Sequence, residues 1–334
     1  MNSELRDIVK VNVSDPIGLI RYISKVQDGN MGFQSRVKEA ARVAKAKGAD
    51  APNLVMMSTG SAKRHVLVVG ISENQTCQTV LELVNSLVIP GIDEIHLIHI
   101  CKNPDLAARA HKMLSQFDIK SVVQLTRHVL ILAPGVSIPD MLTERAQELK
   151  ATLLVIASEK LDRTGEPKMG SVAITLCRKN LFCSVLIVKS HSTAAKNSTL
   201  GLSYVVGVDV AALDMFEWVC TLARSGKDKI CVANCSGMGN TAGMVRSTNS
   251  ATNIVQKFKD KAVSRGFMPV GRLVDGKPSV ELPQLAHHLQ ADIVVVSASK
   301  KSGEVSKGTT AILKDPLTSA LLIYRPPEEG RATW

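Results

Sequence analysis

The 334-residue sequence predicts an α/β protein with two domains, in each of which helices cover both faces of a parallel sheet. First, strand-like and helix-like segments alternate, and the same order occurs twice, in residues 64–190 and 202–326. Second, 45% of the residues are hydrophobic but only 3% are aromatic, so the cores must be aliphatic, as around buried Val- and Ile-rich strands. Third, the length suits about two domains of roughly 150 residues.

The first half is predicted to contain five strands and four helices. The strand-like segments are HVLVVGIS (65–72), DEIHLIHI (93–100), part of 120–132, TLLVIAS (152–158) and SVLIVK (184–189). The helix-like segments lie at 74–88, 104–117, 137–150 and from Gly170 onward. Such alternation requires parallel strands joined by right-handed crossovers.

The second half repeats this order after a small, polar linker, residues 191–201. Its strand-like segments are SYVVGVD, DKICVANC, MPVGRLV, DIVVVSAS and SALLIYR, and residues 327–334 form a tail. We expect the same five-stranded unit twice rather than one continuous sheet. We also expect 184–189 and 319–324 to face each other across a pseudo-twofold axis, because their pairing would cover both sheet edges.

Residues 1–63 differ from the rest and are predicted to form two helices and a linker. The second of these helices is basic, with Arg36, Lys38, Arg42, Lys45 and Lys47. Two interpretations stay open: a solvated helix face, and a docking arm for an acidic partner protein or polymer.

The composition narrows the classes of partner. The formal net charge is +11, which favours acidic partners such as nucleotides or an acidic polymer. The scarcity of aromatic residues argues against a base-stacking surface, so no nucleic-acid partner is expected. Neither a secretory signal nor an apolar run long enough to cross a bilayer is present, so we expect a cytoplasmic protein without a membrane partner.

No catalytic or metal-binding pattern emerges from the sequence. The seven cysteines are scattered and mostly lie in apolar runs, as reduced core thiols do. His96 and His99 are three residues apart on a strand and therefore point to opposite faces, which does not suit a shared metal. We expect no enzymatic activity, and a weak ATPase is left as the lowest-ranked alternative.

Candidate binding residues cluster where strands of the two halves end. In a doubly wound sheet, ligands bind beyond the carboxyl ends of the strands. A Gly-Ser or Gly-Thr step that opens a helix there leaves free N–H groups for an anion such as phosphate, and nearby lysines add charge. The same dipeptides are also ordinary helix N-caps. The candidates are Ser72, Lys160, Gly170, Ser171, Val208, Asp209, Lys300, Gly308 and Thr309.

The order of elements and the loop before each Gly-hydroxyl step resemble the universal stress protein family, over roughly residues 65–325. Nucleotide-binding members have G-x2-G-x9-G-[ST] after the fourth strand. The first half has Ala157-x2-Lys160-x9-Gly170-Ser171, which keeps the spacing but replaces both early glycines. The family also has an Asp after its first strand, where this half has Ser72.

The second half departs from the family pattern in a different way. Its loop is Ser297-x2-Lys300-x7-Gly308-Thr309, two residues shorter and again without the early glycines, but Asp209 matches the first-strand Asp. A lysine in place of glycine either neutralises phosphate or fills the pocket. Each half therefore keeps only part of the pattern.

The resemblance implies two tandem Rossmann-like domains of the adenine nucleotide alpha hydrolase-like type. It also implies a non-catalytic module that binds ATP or AMP at the strand ends, with no metal beyond nucleotide-associated Mg, and mediates association. The alternative is a scaffold or structural subunit of a larger assembly, such as a cytoskeletal one, with degenerate pockets that bind nothing.

Overall fold

The structure is a computed structural model. It describes residues 65–73, 76–89, 91–117, 124–161, 167–190, 201–235, 248–298 and 305–326. All of them belong to one unit, Ser58–Trp334, and the other unit, Met1–Met57, lies outside the described residues. The predicted N-terminal helices, most of the linker and the tail at 327–334 also lie outside them, and the predicted domain boundaries stay predictions.

The first half contains the elements that the sequence predicts and one short hairpin in addition. A 3-10 turn, Pro104–Leu106, precedes its second helix. Its strands are β1 (Val66–Gly70), β2 (Glu94–Cys101), β3 (Gln124–Ile131), β4 (Leu153–Ala157), β5 (Glu159–Leu161), β6 (Pro167–Met169) and β7 (Ser184–Val188). Its helices are α1 (Thr76–Leu87), α2 (Ala107–Gln116), α3 (Ile138–Glu148) and α4 (Ser171–Arg178).

The second half repeats this order without the hairpin among the residues that the structure describes. Its strands are β8 (Ser203–Gly207), β9 (Lys229–Cys235), β10 (Val270–Val274), β11 (Ile293–Ser297) and β12 (Ala320–Tyr324). Its helices are α5 (Leu213–Leu222), α6 (Thr248–Ser264), α7 (Pro278–His288) and α8 (Lys307–Lys314).

The two five-stranded units form one continuous sheet of ten strands, in the order β10-β9-β8-β11-β12-β7-β4-β1-β2-β3. Neighbours are parallel except β7 and β12, which pair antiparallel with Leu186 opposite Leu322. The expectation of two separate sheets is therefore corrected. The physical reason is that β7 and β12 are the last strands of their halves and consist of buried residues, so each covers the open edge of the other.

The helices form a layer on each face of this sheet. One apolar core contains Leu83 of α1, Leu114 of α2, Phe216 of α5 and Phe258 of α6. The other contains residues of α3, α4, α7 and α8, such as Leu142, Leu176, Leu282 and Ile312. There are two cores because the strands alternate their side chains between the two faces of the sheet. Each core extends through both halves because the sheet is continuous.

Similar polar contacts fix the start of the first strand in each half. Asp93 Oδ1 accepts a hydrogen bond from the His65 amide at 2.9 Å. At the equivalent place, Asp228 Oδ1 accepts one from the Leu202 amide at 2.8 Å. These carboxylates satisfy N–H groups that are otherwise left unpaired at a buried strand end. The two halves thus share polar detail as well as strand order.

Two buried cations connect the halves where they meet. Lys189 directly follows β7, and its ammonium group donates to the carbonyl oxygen of Asp315, the C-cap residue of α8. Arg325 directly follows β12, and its Nη2 donates to the carbonyl oxygens of Cys177 and Lys179 at the end of α4, both at 2.9 Å. Each half therefore places a positive charge at the negative end of the other half's last helix.

Candidate functional site

The second residue after β1 and the second residue after β8 occupy equivalent places beyond the carboxyl ends of the strands. In the first half, His99 Nδ1 donates to the Ile71 carbonyl oxygen at 2.9 Å. In the second, Asn234 Nδ2 donates to the Val208 carbonyl oxygen at 2.6 Å. These bonds fix the strand ends, so that the next residue in each half, Ser72 or Asp209, is half-buried at the rim.

Ser72 and Asp209 differ in what they contact. Asp209 Oδ1 accepts a hydrogen bond from the Ala211 amide at 2.8 Å, which stabilises its own turn. The Ser72 amide donates instead to Cys77 Sγ at 3.1 Å, and its hydroxyl lies 3.4 Å from the same sulfur. The sequence predicts both residues as strand-end candidates, and the structure places both at the rim.

The N-terminus of α4 lacks a side-chain cap. Gly170 is the N-cap residue, with φ −70° and ψ 141°, and no side chain accepts a hydrogen bond there. Its own amide donates to the Ser158 carbonyl oxygen at 2.8 Å, which attaches the helix start to the end of β4. Ser171 is exposed. Among the residues that the structure describes, no side chain therefore satisfies the first-turn N–H groups at the positive end of the helix dipole.

Ser158 adds a buried polar atom at this place. It is fully buried, and its hydroxyl has no hydrogen-bond partner among the residues that the structure describes. Such groups are rare because an unpaired buried hydroxyl is costly. No sequence pattern points to Ser158, because a serine that directly follows a strand is common.

The loop after β4 contains a short hairpin that the sequence does not predict. Strands β5 and β6 form a small antiparallel ribbon in which Lys160 pairs with Lys168. Ladder hydrogen bonds between the two short strands satisfy backbone groups that an open loop would leave to a ligand. The placement of the two lysine side chains lies outside what the structure describes.

Gly308 and Thr309 lie in the first turn of α8, as the sequence predicts for a step near a helix start, but they do not open the helix. Helix α8 begins one residue earlier, at Lys307, with Ser306 as its N-cap. Ser306 Oγ accepts a hydrogen bond from the Thr309 amide at 3.1 Å, and Thr309 is buried. A side chain of the protein therefore already caps this helix. Lys300 lies outside the described residues.

A cavity of about 330 Å³ opens next to Ser72. Its wall includes the Arg109, Lys112 and Phe117 side chains, from α2 and the residue after it. Arg109 Nη2 lies 3.1 Å from Glu73 Oε2 in an exposed ion pair. The only signal for this cavity in the sequence is a pair of basic residues three apart on the helix after β2, which lie on one side of that helix. The residues lining it do not include Gly170.

Neither a metal site nor a membrane span is found in the part of the chain that the structure describes. No group of three or more His, Cys, Asp or Glu side chains there could hold a metal ion. None of the described helices is both long and apolar enough to cross a bilayer.

Comparison with known proteins identifies the fold. Protein-family models and curated proteins give no match. Among solved structures, a universal stress protein from Archaeoglobus fulgidus DSM 4304 superposes with a TM-score of 0.58 at 10% sequence identity, covering 80% of this chain and 98% of that one. A putative universal stress protein from Pseudomonas aeruginosa UCBPP-PA14 gives a TM-score of 0.52 at 15% identity, covering 80% and 94%.

The described residues therefore define a doubly wound, Rossmann-like α/β protein with clefts at the carboxyl ends of its strands. More specifically, the chain has the fold of the universal stress proteins, as its order of elements predicts.

Proposed function

We propose that the chain is a non-catalytic, universal stress protein-like module that binds ATP or AMP in its first half. The observation that carries this proposal is the uncapped N-terminus of α4, next to the end of β4. Helix N-termini of this kind accept phosphate through their free N–H groups and their dipole. The amides of Ser171, Val172 and Ala173 are the donors, and a Mg ion would arrive only with the nucleotide.

The nucleoside would lie towards Ser72, which lines the cavity beside α2 and follows β1, the strand next to β4. A volume of about 330 Å³ lies within the range of small-molecule sites, about 300–1,000 Å³. Its wall carries Arg109, Lys112 and Glu73, so two cations outnumber one carboxylate, which favours an anionic ligand. The carbonyl oxygen of Ser158 accepts the hydrogen bond from the Gly170 amide, so the buried hydroxyl of Ser158 lies close to the start of α4.

The second half is the weaker site, so we expect one nucleotide per chain. Ser306 Oγ already accepts a hydrogen bond from the Thr309 amide, which is a donor that a phosphate would need. This closed helix start is the specific observation that favours the second candidate function, a scaffold or structural subunit with non-binding pockets. In either role, association with an acidic partner through residues 1–63 and a cytoplasmic location belong to the proposal.

The test is isothermal titration of the full chain with ATP and AMP, together with thermal shift. At a hundredfold excess over Kd, binding stabilises the folded state by about 2.7 kcal/mol. Gly170→Asp supplies a good N-cap and a negative charge, so the helix remains capped while phosphate is repelled. We expect this variant to bind at least a hundredfold more weakly than wild type.

Two matched variants sharpen the result. Gly170→Asn caps the helix without adding charge and should weaken binding less than Gly170→Asp does. Asp209→Asn changes the second cleft alone and should leave both affinity and a stoichiometry of about one unchanged. Undiminished binding by Gly170→Asp would refute the first-half site. The absence of heat or thermal shift with either nucleotide would leave the scaffold as the remaining proposal.

A further inference from the structure

Exposed large apolar side chains are concentrated at one end of the sheet. Among the residues that the structure describes, eight large hydrophobic side chains are exposed, and five of them lie between positions 263 and 280. These five are Val263, Met268, Val270, Leu273 and Val280, with Met268 93% exposed. Scattered single apolar residues on a surface are ordinary, whereas a contiguous group marks an interaction site.

Val270 and Leu273 lie on β10, the last strand of the sheet order, and Met268 lies two residues before it. Val263 and Val280 lie on α6 and α7, the helices before and after β10. β10 pairs with β9 alone among the described strands, so one side of its backbone has no strand partner there. Val270 is in register with Cys231, and Leu273 with Asn234. Successive side chains of a strand alternate between the two faces of the sheet. Val270 and Leu273 are three residues apart, so they flank the edge on opposite faces. A strand added to this edge would bury apolar surface on both of its faces.

The edge at the other end of the sheet is different. On β3, Ile131 is the one exposed large apolar residue, at 39%. Arg127 of this strand donates through Nη2 to the Phe117 carbonyl oxygen at 2.7 Å and through Nε to the Leu114 carbonyl oxygen at 3.0 Å. These bonds attach β3 to the end of α2. The apolar flanks are thus a property of β10 and not of sheet edges in this protein generally.

The charges around β10 are mostly positive. Lys261 lies 2.6 Å from Glu217, and Asp260 accepts a hydrogen bond from Gln256. The other charged side chains between 257 and 277 that are exposed or half-exposed are Lys257, Lys259, Arg265, Arg272, Asp275 and Lys277. A second copy of the chain would bring the same positive charges together, and like charges placed side by side disfavour that pairing.

We propose that β10 binds an extended, acidic segment of another protein, which adds to the sheet as an eleventh strand. Main-chain hydrogen bonds would supply affinity, as in other cases of strand addition. Apolar side chains on one face of the segment would cover Leu273, and acidic side chains on its other face would meet Arg272, because consecutive residues of a strand point to opposite faces. The partner is therefore recognised by alternating apolar and acidic residues in extended backbone.

The test uses fluorescence anisotropy of a labelled peptide of five Glu-Val repeats with the full chain. Its sign-reversed control is the peptide of five Lys-Val repeats. We expect the Glu-Val peptide to bind with Kd below about 1 mM and the Lys-Val peptide not to bind. Arg272→Glu and Leu273→Glu should each weaken binding at least tenfold, with unchanged circular dichroism. Hydrogen exchange should slow at β10 amides when the peptide is bound.

Matched controls separate strand addition from general charge attraction. Arg178→Glu makes the same charge change on an exposed residue of α4, and Ile131→Glu introduces a charge on the opposite edge. Both should bind like wild type. The proposal is overturned if the Glu-Val peptide does not bind, or if Arg178→Glu weakens binding as much as Arg272→Glu. It is also overturned if sedimentation shows a dimer that Leu273→Glu abolishes, because a second copy would then occupy this edge.

Discussion

Replacing Arg325 by Met should destabilise the folded protein. The side chain is 3% exposed, and its Nη2 donates to two carbonyl oxygens at 2.9 Å and to that of Leu176 at 3.4 Å. Met keeps most of the apolar volume of the side chain but removes the donors. The carbonyl groups at the end of α4 would then lose their partners inside the protein.

The magnitude follows from two opposing contributions. Hydrogen bonds to a charged group stabilise by about 1.5–3 kcal/mol each, so the two short ones contribute roughly 3–6 kcal/mol. Against this, burial of the guanidinium costs several kcal/mol. This desolvation cost applies to Arg325, because its Nε and Nη1 have no partner among the described residues. Burial accordingly lowers the pKa of the guanidinium from its ordinary value. We expect a net loss of about 1–3 kcal/mol.

Urea denaturation followed by circular dichroism measures this loss as a shift in midpoint at unchanged slope. Arg178→Met is the matched control, because Arg178 is an exposed residue of the same helix and its loss should change stability by less than about 0.5 kcal/mol. Lys189→Met should act like Arg325→Met. If Arg325→Met is as stable as wild type or more so, the contact between the halves does not stabilise the fold.

Three further predictions concern single positions. Burial, with Arg145 and His96 beside it, lowers the pKa of His128, so the folded state binds this proton less readily than the unfolded state does. The stability that the neutral His128 contributes is therefore complete above about pH 6.5 and is lost as the pH falls below that value. His128→Gln should flatten the decline in melting temperature between about pH 7 and 5. Ser306→Ala removes the N-cap of α8 and should cost about 1 kcal/mol in urea denaturation; an unchanged midpoint would contradict the cap. Gly201→Ala should cost more than about 2 kcal/mol, because its φ is +89° and a Cβ would lie 2.1 Å from the Lys227 carbonyl oxygen. Gly135→Ala, with φ +79° but no atom within 4 Å of a Cβ, should cost only about 1 kcal/mol, and equal losses would contradict the clash.

The order of elements could be predicted from the sequence because it depends on local patterns. Strands such as β4 and β11 are short aliphatic runs, and α2 and α6 show helical spacing of apolar residues. The pairing of 184–189 with 319–324 could also be predicted, because two buried strands that end their halves need partners. That pairing makes the two five-stranded units one continuous sheet, which differs from the expectation of two sheets.

The candidate site was predicted only in part, because caps and hairpins depend on small differences. The segment around α8 offers Ser306, Thr309 and Thr310, and the sequence does not show which hydroxyl takes the N-cap position. The strands β5 and β6 have three residues each, which is too short to show the alternation of apolar and polar side chains along a strand. Pro167 also argues against a strand at this place. The contacts of Lys189 and Arg325 join residues more than a hundred positions apart, beyond the reach of any local pattern.

Because the two halves belong to one chain, their sequences can differ from each other. In a symmetric dimer of identical chains, every change in one subunit appears in the other, so both ends of a shared sheet must carry the same cleft. Here the antiparallel contact between β7 and β12 is intramolecular, and dilution cannot separate its two sides. Mutations can therefore accumulate in one half alone. The open start of α4 and the closed start of α8 show such divergence within a single polypeptide.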